Sequence, residues 1–264
     1  MLSALAVPVL LVSLSACADS SDAPSEAASP VADEERHWSY EAGSGPDDWA
    51  AMSLDNAACA AGREQSPVAL TSTSAAAADL PSLEVDYGAA MLDVQVTDHG
   101  YLATPNGDQR VRLGDDDYSL LQFHPHTPSE HTLDGERYPL ELHFVHRDAE
   151  GGLAVVGVMV EEGDENDALA SVVAAAGAPG AASEAGEGAQ VEALADVLPD
   201  DRDYFTYDGS LTTPPCTEGV RWLVLGEPIE MSADQIAAFA DARGSRYRPL
   251  QPLNDRAVRM SMAN

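Results

Sequence analysis

The 264-residue chain has no lysine: all 13 of its basic residues are arginine, set against 45 aspartates and glutamates, for a formal net charge of −32. That balance repels phosphate backbones and anionic headgroups, so nucleic acid and charged lipid surfaces are poor partners. Cysteine is almost as scarce, at three residues, and there is no internal repeat. Long apolar runs are missing except in residues 1–17, MLSALAVPVLLVSLSAC, a stretch too short to span a bilayer as a stable helix. It reads as an export signal over residues 1–16. Residues 18–36, ADSSDAPSEAASPVADEER, have almost nothing to bury and read as a disordered acidic tether. The tether holds 6 acids and one arginine, which leaves 39 acids and 12 arginines, or −27, on residues 37–264. The acidity therefore belongs to the folded surface. High-salt adaptation and a GC-rich genome that avoids lysine codons account for it equally well on composition.

What the chain concentrates in one place is histidine. Five of its seven histidines lie in LQFHPHTPSEHTLDGERYPLELHFVH, residues 121–146. If Leu121 to His126 is extended, His124 and His126 leave the same face of a strand. Downstream, Leu140, Leu142 and Phe144 alternate with Glu141, His143 and Val145, and the turn pair Asp134-Gly135 between the two runs suits adjacent antiparallel strands. His143 can then reach the His124/His126 pair. Three neutral imidazoles from rigid strands, with no fourth protein ligand in the run, describe a zinc site that keeps a position open for water. Glu141, two residues before His143 on the same face, can accept that ligand's other ring N–H. His131 and His146 fall off the ligand pattern and read as packed or surface histidines.

Short alternating runs dominate the rest: LEVDYG, LDVQVTD, RVRLGD, SLLQFH, LAVVGVMV and VRWLVLG, most of them bounded by Gly, Pro, Asn or Asp. Helices are expected at Asp164 to Ala176, near Val191 to Val197, and in SADQIAAFADAR, with Ser232 as N-cap and Gly244 as stop. Gly177 to Gln190 reads as a flexible acidic surface loop. The 228 residues from 37 to 264 suffice for one domain with a sizeable core. The pattern predicts a single sheet-dominated α+β domain, built on a large, mostly antiparallel twisted β-sheet with a few peripheral helices.

At this point the motifs become recognisable. QFHPHTPSEH, ELHFVH and YDGSLTTPPCTEGVRW resemble the signature segments of the α-class carbonic anhydrases, in that family's order and internal spacing. HWSY (His37 to Tyr40), CAAGREQSPV (Cys59 to Val68), GGLAVVGV (Gly151 to Val158) and YRPLQPLNDR (Tyr247 to Arg256) extend the resemblance over residues 37–260. The resemblance implies reversible hydration of carbon dioxide to bicarbonate and a proton. His124, His126 and His143 would hold zinc, which lowers the pKa of its bound water to about 7. Thr212 matches the hydroxyl that orients the nucleophile and donates to a buried carboxylate, Glu130. Thr213 matches a position that contacts substrate, Val145, Val155, Leu211, Val220 and Trp222 match an apolar carbon dioxide pocket, and Gln122 supports His124.

Two departures stand out. Pro125 separates the first two ligands where an aromatic is usual, and it cannot donate to a sheet ladder, which predicts an unpaired position or a bulge. Tyr101 occupies the position of the family's proton-shuttling histidine, and its hydroxyl titrates near 10, far from neutral pH. His99 is the alternative shuttle. Secreted bacterial members pair the cysteines that match Cys59 and Cys216, which leaves Cys17 over. Leu14-Ser15-Ala16-Cys17 resembles a bacterial lipobox, so Cys17 is expected to carry a lipid that tethers the protein to a cell membrane, facing the outside or the periplasm. A plain secretory signal and a soluble product are the alternative. Two further readings share the motifs: a non-catalytic binding module on the same fold, and a zinc esterase side activity. Oligomeric state is not legible.

Overall fold

The computed structural model describes residues 37–97, 99–176, 188–241 and 246–261. The export signal, Cys17, the tether at 18–36, most of the acidic loop 177–190 and the helix stop expected at Gly244 lie outside them. Seven strands carry the architecture: β1 (Ala90–Thr97), β2 (Gly100–Pro105), β3 (Asp116–His126), β4 (Leu140–Arg147), β5 (Leu153–Glu162), β6 (Tyr204–Ser210) and β7 (Glu218–Leu225). Across the sheet they run β1-β2-β3-β4-β5-β7-β6. Ala189–Val191 extends one edge against β1, while Arg259–Ser261 and then Ala76–Ala78 extend the other beyond β6. Three shorter strands pair off this path, giving a 13-stranded sheet among the described residues. Most neighbours are antiparallel, as expected, but β5 runs parallel to β7 and to Ile229–Met231.

Burial follows from the residue patterns. In β1 burial alternates strictly from Ala90 to Gln95, as a strand with one covered face requires. β4 and β5 lie at the centre and are buried on both faces, so β5 reads as the continuous apolar run AVVGVMV. Phe123, Leu142 and Phe144 enter the larger core, whereas Val145, Val155, Val220 and Trp222 enter a second cluster on the opposite face. Because side chains alternate, the histidines that sit between the former residues face the second cluster.

The helices are peripheral, with two departures from expectation. The segment expected from Asp164 begins later: Asp167–Leu169 is a 3-10 turn whose Leu169 N–H donates to Asn166 Oδ1 at 3.1 Å, followed by an α-helix over Ala170–Ala176. No α-helix forms over Val191 to Val197. Ala189–Val191 pairs with Ala90–Leu92, which claims the start of the segment as a strand, and only the 3-10 turn Leu194–Val197 remains. The same pairing makes the last residues of the expected 177–190 loop an edge strand. Ser232 caps the helix Ala233–Asp241: its Oγ accepts from Gln235 N–H at 3.3 Å, while Gln235 Oε1 accepts from Ser232 N–H at 3.2 Å.

Candidate active site

The β3–β4 register sets His124 opposite His143 and His126 opposite Glu141. The three ligand candidates thus share one sheet face, and their ring nitrogens converge within 4.8 Å of one another. Each imidazole is oriented by a different acceptor. His124 Nδ1 donates to Gln122 Oε1 at 2.8 Å, His126 Nδ1 to the Arg246 carbonyl at 3.0 Å, and His143 Nε2 to Glu141 Oε1 at 2.8 Å. These bonds fix the tautomers, so His124 Nε2, His126 Nε2 and His143 Nδ1 turn their lone pairs toward a common point. Burial, helped by His143, lowers the pKa of His124 to about 3 and pushes that of His126 well below its usual range. Both are therefore neutral, the form that binds a metal. His126 Nε2 is buried without a hydrogen-bond partner, as an atom reserved for a metal would be. The residues fit a zinc ion in type, number and tautomer.

Pro125 keeps its place in the ladder opposite Leu142. The irregularity lies earlier, between Leu120 and Gln122, and β2 pairs with β3 only through Ala103 and Phe123. Pro125 therefore has no β2 partner, in line with the expected unpaired position, and the strand's irregularity lies elsewhere.

Glu141 and Glu130 are both fully buried. Burial alone would raise the Glu141 pKa, but the facing imidazoles of His131 and His143 hold it well below the usual carboxylate range. Its Oε2 also accepts the backbone N–H groups of Glu130 and His131, each at 2.8 Å. Burial pushes Glu130 up to about 8, opposed by the nearby Thr212 hydroxyl and by the Arg248 N–H, which donates to its Oε1 at 2.6 Å. A dication nearby favours the ionised form further. Glu130 Oε2 lies 3.5 Å from His126 Nε2 and 3.9 Å from His143 Nδ1, which places Thr212 and its carboxylate beside the ligand cluster.

The apolar residues also assemble. Val145, Val155, Val220 and Trp222 are buried in one cluster, and Leu211 packs on it. The Trp222 ring meets that of His143 edge-on at 4.8 Å, so the apolar wall touches a ligand directly. Thr213 lies in the same loop as Thr212, its carbonyl accepting from Cys216 N–H at 2.8 Å. Cys59 and Cys216 form a disulfide across a separation of 157 residues.

The two shuttle candidates diverge. Ala103 registers with Phe123, and Tyr101 lies on the same side of β2, so its ring enters the larger core edge-on to Phe239 at 5.6 Å. Tyr101 thus faces away from the histidines, because the period-2 alternation of β2 is set by core packing. His99 precedes the strand and stacks on Trp38, with centroids 3.7 Å apart. Trp38 belongs to a cluster with Tyr40 and Trp49, and Arg246, whose carbonyl orients His126, lies over the Tyr40 ring.

Sequence reasoning missed several contributors. His131 is more than packing: its Nδ1 bonds Glu141 Oε1 at 2.8 Å and its Nε2 bonds Tyr207 Oη at 2.6 Å. Tyr207 then donates to Ser66 Oγ at 2.8 Å, which accepts from Ser210 N–H at 3.1 Å. A buried chain thus joins the His143 support to the strand end before Thr212. His131 lies off the ligand spacing and Tyr207 is distant in sequence, so neither carried a local signal. The Arg246 carbonyl could not have been found, since every residue offers one. His146 is buried in the larger core against the Tyr87 hydroxyl.

Comparison with known proteins decides the family. A family model described as eukaryotic-type carbonic anhydrase matches residues 44–262. The chain belongs to this family. A carbonic anhydrase of Pectobacterium carotovorum is 36% identical over 225 residues, covering 84% of this chain and 90% of that protein. One of Nostoc sp. is 35% identical over 271 residues, covering 98% and 95%. Among solved structures, the α-carbonic anhydrase of Thermovibrio ammonificans in complex with the inhibitor sulfanilamide superposes with a TM-score of 0.77 at 38% identity, covering 86% of this chain and 99% of that one. Dioscorin complexed with ascorbate gives 0.79 at 28% identity, covering 86% and 100%. The large mixed sheet with few helices is the carbonic anhydrase fold, and the chain is a carbonic anhydrase that hydrates carbon dioxide.

Proposed function

We propose that this carbonic anhydrase works with one zinc ion on His124, His126 and His143, and that Thr212 and Glu130 orient the nucleophile. The observation that carries the reading is the set of three imidazoles whose outward nitrogens are each engaged by a separate acceptor, leaving three inward lone pairs. Bound there, zinc supplies the Lewis acidity that makes a nucleophile available from water near neutral pH. Thr212 donates its hydroxyl proton to Glu130, which turns its oxygen lone pairs toward that nucleophile and fixes its direction of attack. The wall of Val145, Val155, Leu211, Val220 and Trp222 receives an apolar substrate and keeps water off its path. Thr213 contacts the anionic product, and His99 passes the released proton to buffer. A binding module without catalysis would have no use for three oriented imidazoles beside a Thr–Glu pair; ester hydrolysis remains open as a side activity of the same nucleophile. His143→Ala should lose both metal and turnover, because two imidazoles do not complete the three-ligand geometry. Full zinc occupancy in that variant would remove His143 from the ligand set.

For location, we propose export and tethering through a lipidated Cys17. The supports are the short apolar leader, the Leu14-Ser15-Ala16-Cys17 sequence and the pairing of Cys59 with Cys216, which leaves Cys17 outside that bridge. Cys17→Ser should move the protein from the membrane to the soluble fraction. Wild-type protein already found in the soluble fraction would make the leader a plain secretory signal.

A further inference from the structure

Thr212 and Glu130 must face each other at one separation, yet they come from segments about 80 residues apart in sequence. Thr212 sits in the loop between β6 and β7, closed by Leu211 N–H donating to the Thr217 carbonyl at 2.9 Å. Within the loop, Cys216 adopts φ +58°, in the left-handed region, and its N–H donates to the Thr213 carbonyl. The Cys216 carbonyl accepts from the buried amide of Gln65, Nε2 to O at 3.1 Å. The other end of that amide, Oε1, accepts from the Arg248 guanidinium at 2.9 Å. Arg248 is itself 1% exposed, and its fork also donates to the carbonyls of Ser66 and Cys59, each at 2.8 Å. Its backbone N–H donates to Glu130 Oε1 at 2.6 Å. Thr212 lies within electrostatic reach of the Glu130 carboxylate, and these contacts connect the two segments: Glu130 to Arg248, Arg248 to Gln65, Gln65 to Cys216, and Cys216 to Thr213, the neighbour of Thr212.

We propose that Gln65 and Arg248 are positioning residues for the Thr212–Glu130 pair. The Gln65 amide ties the loop's Cys216 carbonyl to the arginine whose own N–H fixes the carboxylate. The inference rests on the reading of Thr212 and Glu130 given above. Gln65 is suited to the task because its amide offers a donor at one end and an acceptor at the other, and here one end serves the loop and the other serves Arg248. Arg248 is suited because its rigid fork reaches Gln65 and two backbone carbonyls at once, which a lysine cannot do. Neither residue ligates the metal or belongs to the apolar wall. Loosening these contacts therefore acts on orientation, where small misplacements are costly in rate, and leaves zinc and substrate affinity alone.

The test is a double-mutant cycle on the zinc-loaded enzyme with Gln65→Met, Thr212→Ala and the pair, reading stopped-flow kcat and KM, zinc per chain and thermal melting. Gln65→Met should lower kcat by about tenfold with KM and zinc content unchanged, and it should lower kcat no further once Thr212 is alanine. It should also speed reduction of the Cys59–Cys216 disulfide by dithiothreitol in the folded protein severalfold, since the Cys216 turn loses its tie. An equal fold-loss in both backgrounds, or an unchanged kcat, or an unchanged reduction rate, overturns the proposal. Wild-type turnover in Thr212→Ala alone overturns the underlying reading and the proposal with it, whereas an impaired Thr212→Ala with additive losses overturns the proposal only. Should Gln65→Met lose zinc or unfold, Arg248→Lys enters the same cycle, keeping the backbone N–H and the charge while removing the fork. The same non-additivity is expected there, and additivity contradicts it.

Discussion

At the scale of single residues, the site divides into groups that hold and groups that aim. The ligands hold, so their removal should cost metal; Thr212 aims, so Thr212→Ala should keep one zinc per chain and lose about 10²-fold in kcat. Unchanged turnover would take Thr212 out of the mechanism. Proton transfer is argued at the same scale. Tyr101 lies in the core beside Phe239, so Tyr101→His should bring no gain in turnover at low buffer, because the new imidazole faces away from the ligands. His99→Ala should instead make turnover depend on external buffer, since it removes the imidazole stacked on Trp38 in the cluster with Tyr40 and Trp49. Buffer-independent turnover in His99→Ala would assign the proton path to another group.

At the scale of elements, β4 carries chemistry on one face and a titrating core residue on the other. His146 is buried against Tyr87, and burial lowers its pKa to about 4. The unfolded chain takes up this proton below about 6.5, whereas the folded chain resists it until about 4. Stability should therefore fall as pH drops through that window, by about 3 kcal/mol from this group, and stay level with respect to it below. Urea melts of wild type and His146→Gln at pH 7 and pH 4.5 check this: the variant should lose less stability between the two, and an identical loss would place the titration elsewhere. Elements also show what was legible. Five of the seven main strands, the β3–β4 pairing and the three ligands could be read because period-2 alternation reports directly which face a side chain takes, whereas β2 and β6 went unread. The Val191 to Val197 segment could not, because pairing with the distant Ala90–Leu92 overrides local helix preference. Tyr101 was misplaced for a related reason. A match by position locates a residue along the strand, but the Ala103–Phe123 register decides its face.

At the scale of the whole molecule, the arginines explain part of the missing lysine. Arg248 and Arg256 use their forks mostly on carbonyls, Arg256 donating to Leu253, Asp208, Gln65 and Pro252. The arginine–carboxylate ion pairs among the described residues, such as Arg63–Asp255, Arg110–Asp108 and Arg221–Asp116, are substantially exposed and contribute little each. A domain at −27, nearly all of it on the surface, then repels itself, and screening should relieve the strain. Melting temperature should rise with salt toward molar concentrations if the acidity is an adaptation to it, and a flat series would leave codon usage as the explanation. The central claim is that one zinc on three strand-borne histidines drives carbon dioxide hydration, and stopped-flow hydration of metal-stripped protein titrated with zinc tests it most directly. The account predicts negligible turnover without metal and recovery that is linear in zinc and saturates at one equivalent per chain. Full turnover after stripping, or a failure of zinc to restore it, would contradict the account.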